Sequence, residues 1–122
     1  MDLQLQGKSA IVCASSKGLG KACALALARE GVNVWICGRS AGPLADAAAE
    51  IAGAGGGGVE SLVADVTTDE GRDALLAACP APDILVNNAG GPPPGDFRDW
   101  RQQDWFDAVN GNMFSAIDMI RR

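Results

Sequence analysis

The chain has no histidine and no tyrosine, and its only lysines are Lys8, Lys17 and Lys21. Without histidine no mixed metal site can be completed. The four cysteines (Cys13, Cys23, Cys37 and Cys79) also show no paired metal-ligand spacing, so no metal is expected. Three of them lie within apolar segments, where cysteine behaves as a small hydrophobe. A basic face is missing too: the net charge is −5 and basic residues are mostly scattered singly, apart from Arg121-Arg122. That argues against nucleic acid as a partner. No apolar run approaches the roughly 20 residues of a membrane span. Met1 to Gln6 lacks the charged and apolar regions of a signal peptide. The expected setting is cytoplasmic, with no membrane partner. The 122 residues, 48% hydrophobic and 20% charged, suit one globular domain with a single core.

What the chain does have is a glycine turn between an apolar run and a helical pattern. Ser9 to Cys13 reads as a buried strand. Ala14-Ser15-Ser16-Lys17-Gly18-Leu19-Gly20 follows, and Leu19, Cys23, Ala24, Leu27 and Ala28 then recur at helical spacing up to Arg29, with Gly31 as the stop. Strand, glycine turn and helix together bring backbone N–H groups to a phosphate. The first helical turn leaves donors unpaired and carries roughly half a positive charge, and Gly18 and Gly20 let an anion come close.

The alternation continues. Val32 to Cys37 is a second strand, giving a right-handed parallel crossover. A helix over Leu44 to Ala52 follows, with Pro43 near its first turn. Gly53 to Gly58 reads as a flexible surface connection. Val59 to Ala64 is the third strand. Thr67 or Thr68 caps a helix that begins with Asp69 and Glu70, runs to about Ala78 and is stopped by Pro80 and Pro82. Asp83 to Asn87 is the fourth strand, and Asn88 to Gly95 is a loop. A last helix starts near Gln103 or Asp104, with Trp105, Phe106, Val109, Met113, Ala116, Ile117 and Ile120 at helical spacing and Gly111 weakening it.

This order predicts an α/β, Rossmann-like, doubly wound parallel sheet of about four strands, with helices on both faces. Ligands on such sheets bind at the carboxyl ends of the strands. Those ends are Ala14 to Gly20, Gly38 to Ser40, Asp65-Val66 and Asn87 to Gly90.

The four rim segments resemble the short-chain dehydrogenase/reductase family. Its Thr-Gly-x-x-x-Gly-x-Gly loop is matched by Cys13 to Gly20, with Cys13 for threonine and Ala14 for the first glycine. Its Asp-Val pair is matched by Asp65-Val66, and its Asn-Asn-Ala-Gly motif by Asn87 to Gly90. Trp105 and Asn112 keep the family's seven-residue spacing from tryptophan to catalytic asparagine, and Asn110 is a second candidate. The resemblance covers essentially the whole chain. It implies that Ala14, Ser15, Ser16, Lys17, Gly18, Leu19, Gly20, Arg39, Ser40, Asp65, Val66, Asn88, Ala89 and Gly90 hold a dinucleotide, with Asp65 on the adenine amino group and Asn87 structural. It also implies that Asn112 serves a proton relay.

The cofactor expectation is NADP. In such folds an acid ending the second strand accepts the 2′-hydroxyl of NAD, whereas an arginine takes the 2′-phosphate of NADP. Here that position holds Arg39, with Lys17 as a second cation in the glycine loop. The family's catalytic serine and Tyr-x-x-x-Lys lie beyond the asparagine helix, and no tyrosine occurs among these 122 residues. Residues 1–122 are therefore expected to be the N-terminal dinucleotide-binding portion of a single reductase domain, inactive alone and most like 3-oxoacyl carrier-protein reductases. The complete enzyme would act on a small carbonyl or alcohol substrate and form a homo-oligomer. The alternative is a non-catalytic nucleotide-binding or interaction module. Ending where it does, the chain is expected to leave its fourth strand as an open edge.

Overall fold

The computed structural model describes all 122 residues. Its strands are β1 (Ser9–Val12), β2 (Asn33–Gly38), β3 (Val59–Val63) and β4 (Ile84–Val86). Its helices are α1 (Gly18–Arg29), α2 (Ala41–Ala54), α3 (Asp69–Ala78), α4 (Gln102–Val109) and α5 (Ser115–Arg121), and a π-helical turn over Asn110–Phe114 joins the last two. All strand pairs are parallel, in the order β3-β2-β1-β4. The expected Rossmann-like sheet is what forms.

Alternation along the strands sorts residues to two faces. Ala10, Val12, Val34 and Ile36 point to the face covered by α1 and α2, where they meet Ala24, Ala28, Leu44, Ala47 and Ile51. Ile11, Cys13 and Cys37 point to the other face, with Val66, Leu75, Cys79 and Met119 from the α3 and α5 side. Side-chain alternation requires this when both faces are covered. Thr68 caps α3, its Oγ1 accepting from the Gly71 N–H at 3.0 Å. No helix is long and apolar enough to cross a membrane.

Four local expectations need correction. On α1 the inward residues are Gly20, Ala24 and Ala28, whereas Leu19 is 81% exposed and Cys23 is exposed. The helix packs through its smallest residues because these allow close approach to the sheet. Helix α2 begins three residues earlier than expected, at Ala41, and Pro43 is tolerated because a first-turn N–H has no helical partner to lose. The glycine run is not simply a flexible connector. A Cβ on Gly55 would stand 2.0 Å from the Ala28 carbonyl oxygen, and one on Gly57 would stand 1.9 Å from that of Val32. At Gly55 and Gly57 the run makes backbone contacts that larger residues cannot make. Finally, the apolar stripe expected on the last helix is largely open: Trp105, Phe106, Val109, Met113, Ile117 and Ile120 are all exposed, as is their neighbour Phe114, while Gly111, Ser115 and Met119 face inward.

Candidate dinucleotide site

The strand order reverses between β1 and β4, so the loops leaving these two strands diverge and open a crevice. The Ala14–Gly20 turn is built across it. Ser15 is fully buried: its Oγ donates to the Val12 carbonyl at 2.7 Å and accepts from the Cys37 N–H at 3.2 Å. Its own N–H donates to the Cys37 carbonyl at 2.8 Å. Every polar group of Ser15 except its carbonyl is thus spent holding the turn to β1 and β2, so it supports the rim from beneath. Ala14 takes the left-handed conformation at φ 47°, and its N–H donates to the Cys37 sulfur at 3.3 Å.

Asn88 crosses the crevice. Its Nδ2 donates to the Ala14 carbonyl at 3.0 Å, so this carboxamide is a brace, whereas Asn87 is exposed and has no side-chain hydrogen bond. The structural role expected of Asn87 falls to Asn88. Gly20 makes the geometry possible, since a Cβ there would stand 2.4 Å from the Ala14 carbonyl oxygen and 2.8 Å from Asn88 Nδ2. The family's threonine position is filled by Cys13, a packed thiol. Burial, with Cys37 beside it, pushes its pKa up to about 12, and burial raises Cys37 as well. Neither is a nucleophile at neutral pH.

The first turn of α1 contains no acidic residue, and Lys17 provides no side-chain cap. Its amide donors are left to solvent or to an anion. A cleft of about 170 Å³ opens beside this turn, lined by Ala14, Ser16, Lys17 and Arg39, by Asp65 to Thr67, and by Gly90. Neither Lys17 nor Arg39 forms an ion pair, whereas Lys21 is taken by Glu50. Asp65 uses one carboxylate oxygen locally: Oδ1 accepts from the Thr67 N–H at 2.9 Å and from Thr67 Oγ1 at 2.7 Å. Its Oδ2 has no partner. The Val66 side chain is buried in the core, which leaves only its backbone for a ligand.

Seven of the expected residues therefore border this cleft: Ala14, Ser16, Lys17, Arg39, Asp65, Val66 and Gly90. Ser15, Gly18, Leu19, Gly20, Ser40, Asn88 and Ala89 do not. Ser40 is the residue before α2, its carbonyl accepting from the Leu44 N–H, and Leu19 offers only backbone. Cys37, Gly38, Ala64, Thr67 and Gly91 also line the cleft without having been singled out as ligands. Gly38 was legible as a glycine ending β2: a Cβ there would press on Ser16 at 3.1 Å.

Arg39, Thr67, Gly90 and Gly91 also border a larger hollow of about 450 Å³, closed by Pro92, Pro93 and Trp100 and by the α4 residues Asp104 and Asp107. Asp104 has work of its own, accepting from the Arg101 N–H at 2.8 Å to start α4. Asn112 borders this hollow too, and a third recess of about 220 Å³ with Asn87, Asn88, Ala89 and Ser115. Its Nδ2 donates to the Ala108 carbonyl at 2.9 Å, leaving its Oδ1 open. Asn110 is directed elsewhere, donating to the Thr67 carbonyl at 3.1 Å.

Comparison with known proteins agrees with this geometry. The family model described as short chain dehydrogenase matches residues 8–122. The uncharacterized oxidoreductase YvaG of Bacillus subtilis is 38% identical over 123 residues, which is 100% of this chain and 47% of that protein. The 3-oxoacyl-[acyl-carrier-protein] reductase FabG of Pseudomonas aeruginosa is 38% identical over 98% of this chain and 49% of its own length. Among solved structures, L-sorbose reductase from Gluconobacter frateurii, complexed with NADPH and L-sorbose, superposes with a TM-score of 0.91 at 30% identity. It covers 99% of this chain and 48% of its own. The chain thus spans about half the length of the curated relatives it matches. With the glycine turn, the Asp65 corner and the Asn88 brace in one parallel sheet, and a family match from Lys8 to the last residue, this chain belongs to the short-chain dehydrogenase family of oxidoreductases.

Proposed function

We propose that residues 1–122 form the NADP(H)-binding portion of a reductase that interconverts a small carbonyl compound and its alcohol. The observation that carries this reading is the pairing of an uncapped, acid-free start of α1 with two unpaired cations, Lys17 and Arg39, on one cleft. An arginine can grip a phosphate through two parallel N–H donors, where a carboxylate would repel it. The amides of the first α1 turn suit the pyrophosphate. The free Oδ2 of Asp65 suits the adenine amino group, and Gly90, which carries no Cβ, lets a ribose lie close.

When bound, the nicotinamide supplies the hydride that reduces a carbonyl carbon. The chain's own residues orient the cofactor, and Asn112 holds a water in a proton relay, a reading supported by its free Oδ1 and by the recess it shares with Asn87 and Ala89. Lacking tyrosine, these residues bind a cofactor without turning it over. A 3-oxoacyl ketoreductase is the favoured whole-enzyme activity, and a homo-oligomer the favoured assembly. One observation favours the alternative of a non-catalytic interaction module: the open apolar stripe on α4 and α5.

Titration with NADPH and NADH, followed by nicotinamide fluorescence, tests the reading. Tighter binding of NADPH supports it. Equal or tighter binding of NADH overturns the cofactor assignment, and a longer parent chain that binds NADPH yet reduces no ketone supports the module.

A further inference from the structure

Arg72 is the only charged residue in the buried set, with its side chain 7% exposed. A guanidinium is costly to remove from water unless its donors are satisfied, so its partners reveal its purpose. Nε donates to Asp118 Oδ2 at 2.7 Å and Nη2 to Asp69 Oδ1, which ties the start of α3 to α5. Nη1 does something different: it donates to the carbonyl of Val66 at 2.9 Å, inside the turn that follows β3.

That turn has an unusual property. Three successive carbonyls are each bonded from a different direction. The Asp65 carbonyl accepts from the N–H and Oγ1 of Thr68 at 3.0 and 2.8 Å. The Val66 carbonyl accepts from Arg72, and the Thr67 carbonyl from Asn110 Nδ2, which reaches across from the π turn 43 residues later. Gly71 completes the packing, since a Cβ there would stand 1.9 Å from the Asp65 carbonyl oxygen. Fixing α3 to α5 would need only the carboxylate bonds of Arg72. The bonds to Val66 and Thr67 instead hold the backbone on both sides of the Asp65 side chain's own hydrogen-bonding partner.

We propose that Arg72 and Asn110 are positioning residues that clamp the Asp65–Thr67 turn, so that Asp65, which lines the cleft, keeps its unpaired Oδ2 available to a ligand there. Through Asn110 the clamp belongs to the π turn that also carries Asn112, so the adenine end of the cleft and the asparagine helix are set by one hydrogen-bonded unit. This inference rests on the dinucleotide reading above.

The test compares NADPH with its deamino analogue, in which the adenine amino group is replaced by a carbonyl. Both are titrated into the intact chain, its Asp65→Asn, Asn110→Ala and Arg72→Lys variants, and each protein's thermal unfolding is recorded. The intact chain should prefer NADPH by about tenfold, the cost of losing one hydrogen bond to a charged group. Asp65→Asn should abolish that preference. Asn110→Ala, at an exposed position, and Arg72→Lys, which keeps the charge, should each reduce it to about twofold. A residue that only stabilises the fold would weaken both ligands equally, so an unchanged preference in both variants overturns the clamp. If the intact chain prefers NADPH but Asp65→Asn keeps the preference, the clamp has nothing to position and falls as well. If the intact chain binds neither ligand, the dinucleotide reading itself fails.

Discussion

The two flanks of the sheet are finished to different degrees. Around the ends of β1, β2 and β3 every buried side-chain polar atom has a partner, and backbones approach so closely that only glycine fits at Gly20 and Gly71. On the β4 flank the edge strand has only three residues, all half-buried, and the stretch from α4 to α5 turns seven large apolar residues outward. The first flank is closed by its own residues. The second is a surface whose apolar residues have no partner within these 122 residues, and unpaired strand edges invite association.

Two inward-facing helical glycines give the sharpest way to break this contrast. Gly71→Ala should cost about 3 kcal/mol or more, because the new methyl meets backbone that cannot yield. Urea unfolding would measure it, and a loss below about 1 kcal/mol would mean that the α3 corner is looser than its geometry.

Acid titration probes the joint between the flanks. Bonds from Arg121, and then from Arg72 and Arg122, lower the pKa of Asp118 to about 2. A carboxylate depressed in the folded state adds stability above its unfolded value and loses it as the pH falls through the folded one. The Asp118 contribution should therefore be complete above about pH 4 and gone near pH 2. In Asp118→Asn the acid-unfolding midpoint should move to higher pH, as followed by far-UV circular dichroism. An unmoved midpoint would show that the cluster does not join α3 to α5.

Arg39→Ala should lower NADPH affinity by about tenfold and leave NADH within about twofold. Parallel loss of both would assign Arg39 a structural role.

Gly111→Ala is the counterpart of Gly71→Ala. Its methyl would meet only Thr67 Cγ2 at 3.6 Å, an ordinary contact, and alanine favours helix. A gain of up to about 1 kcal/mol in unfolding free energy is expected, and destabilisation would show that the π turn needs glycine. The smallest effect belongs to the open stripe. Met113→Gln with Ile117→Gln should change stability by less than about 0.5 kcal/mol while reducing self-association in sedimentation. Unchanged association would place the contact elsewhere, on the β4 edge.

Much of the rim was legible in the sequence. The glycine turn, Arg39 and Asp65-Val66 stand at strand ends, and strand ends follow from apolar runs bounded by turn residues. The roles within the rim were less legible. Ser15 and Asn88 are polar residues in the rim loops, yet the Ser15 hydroxyl is taken by Val12 and Cys37 and the Asn88 Nδ2 by Ala14, partners far away in the chain or hidden by the turn. Helical spacing marked an apolar stripe on the last helix but not its direction. Periodicity describes a face and says nothing of what lies opposite. Gly111, expected to weaken the helix, is buried beside Thr67 with room for a methyl group.

By itself, the sequence determined the β-α alternation, the parallel sheet and the position of the glycine turn at the start of α1, because these depend on local periodicity and on glycine at a helix start. Only the tertiary structure decided which rim residues face the cleft and which hold it up. Such choices are settled by contacts between segments tens of residues apart: Asn88 on Ala14, Asn110 on Thr67, and Arg72 reaching α5. The same holds for the glycine run, which pattern alone describes as slack and which packing brings against α1 at Ala28 and against Val32, just before β2.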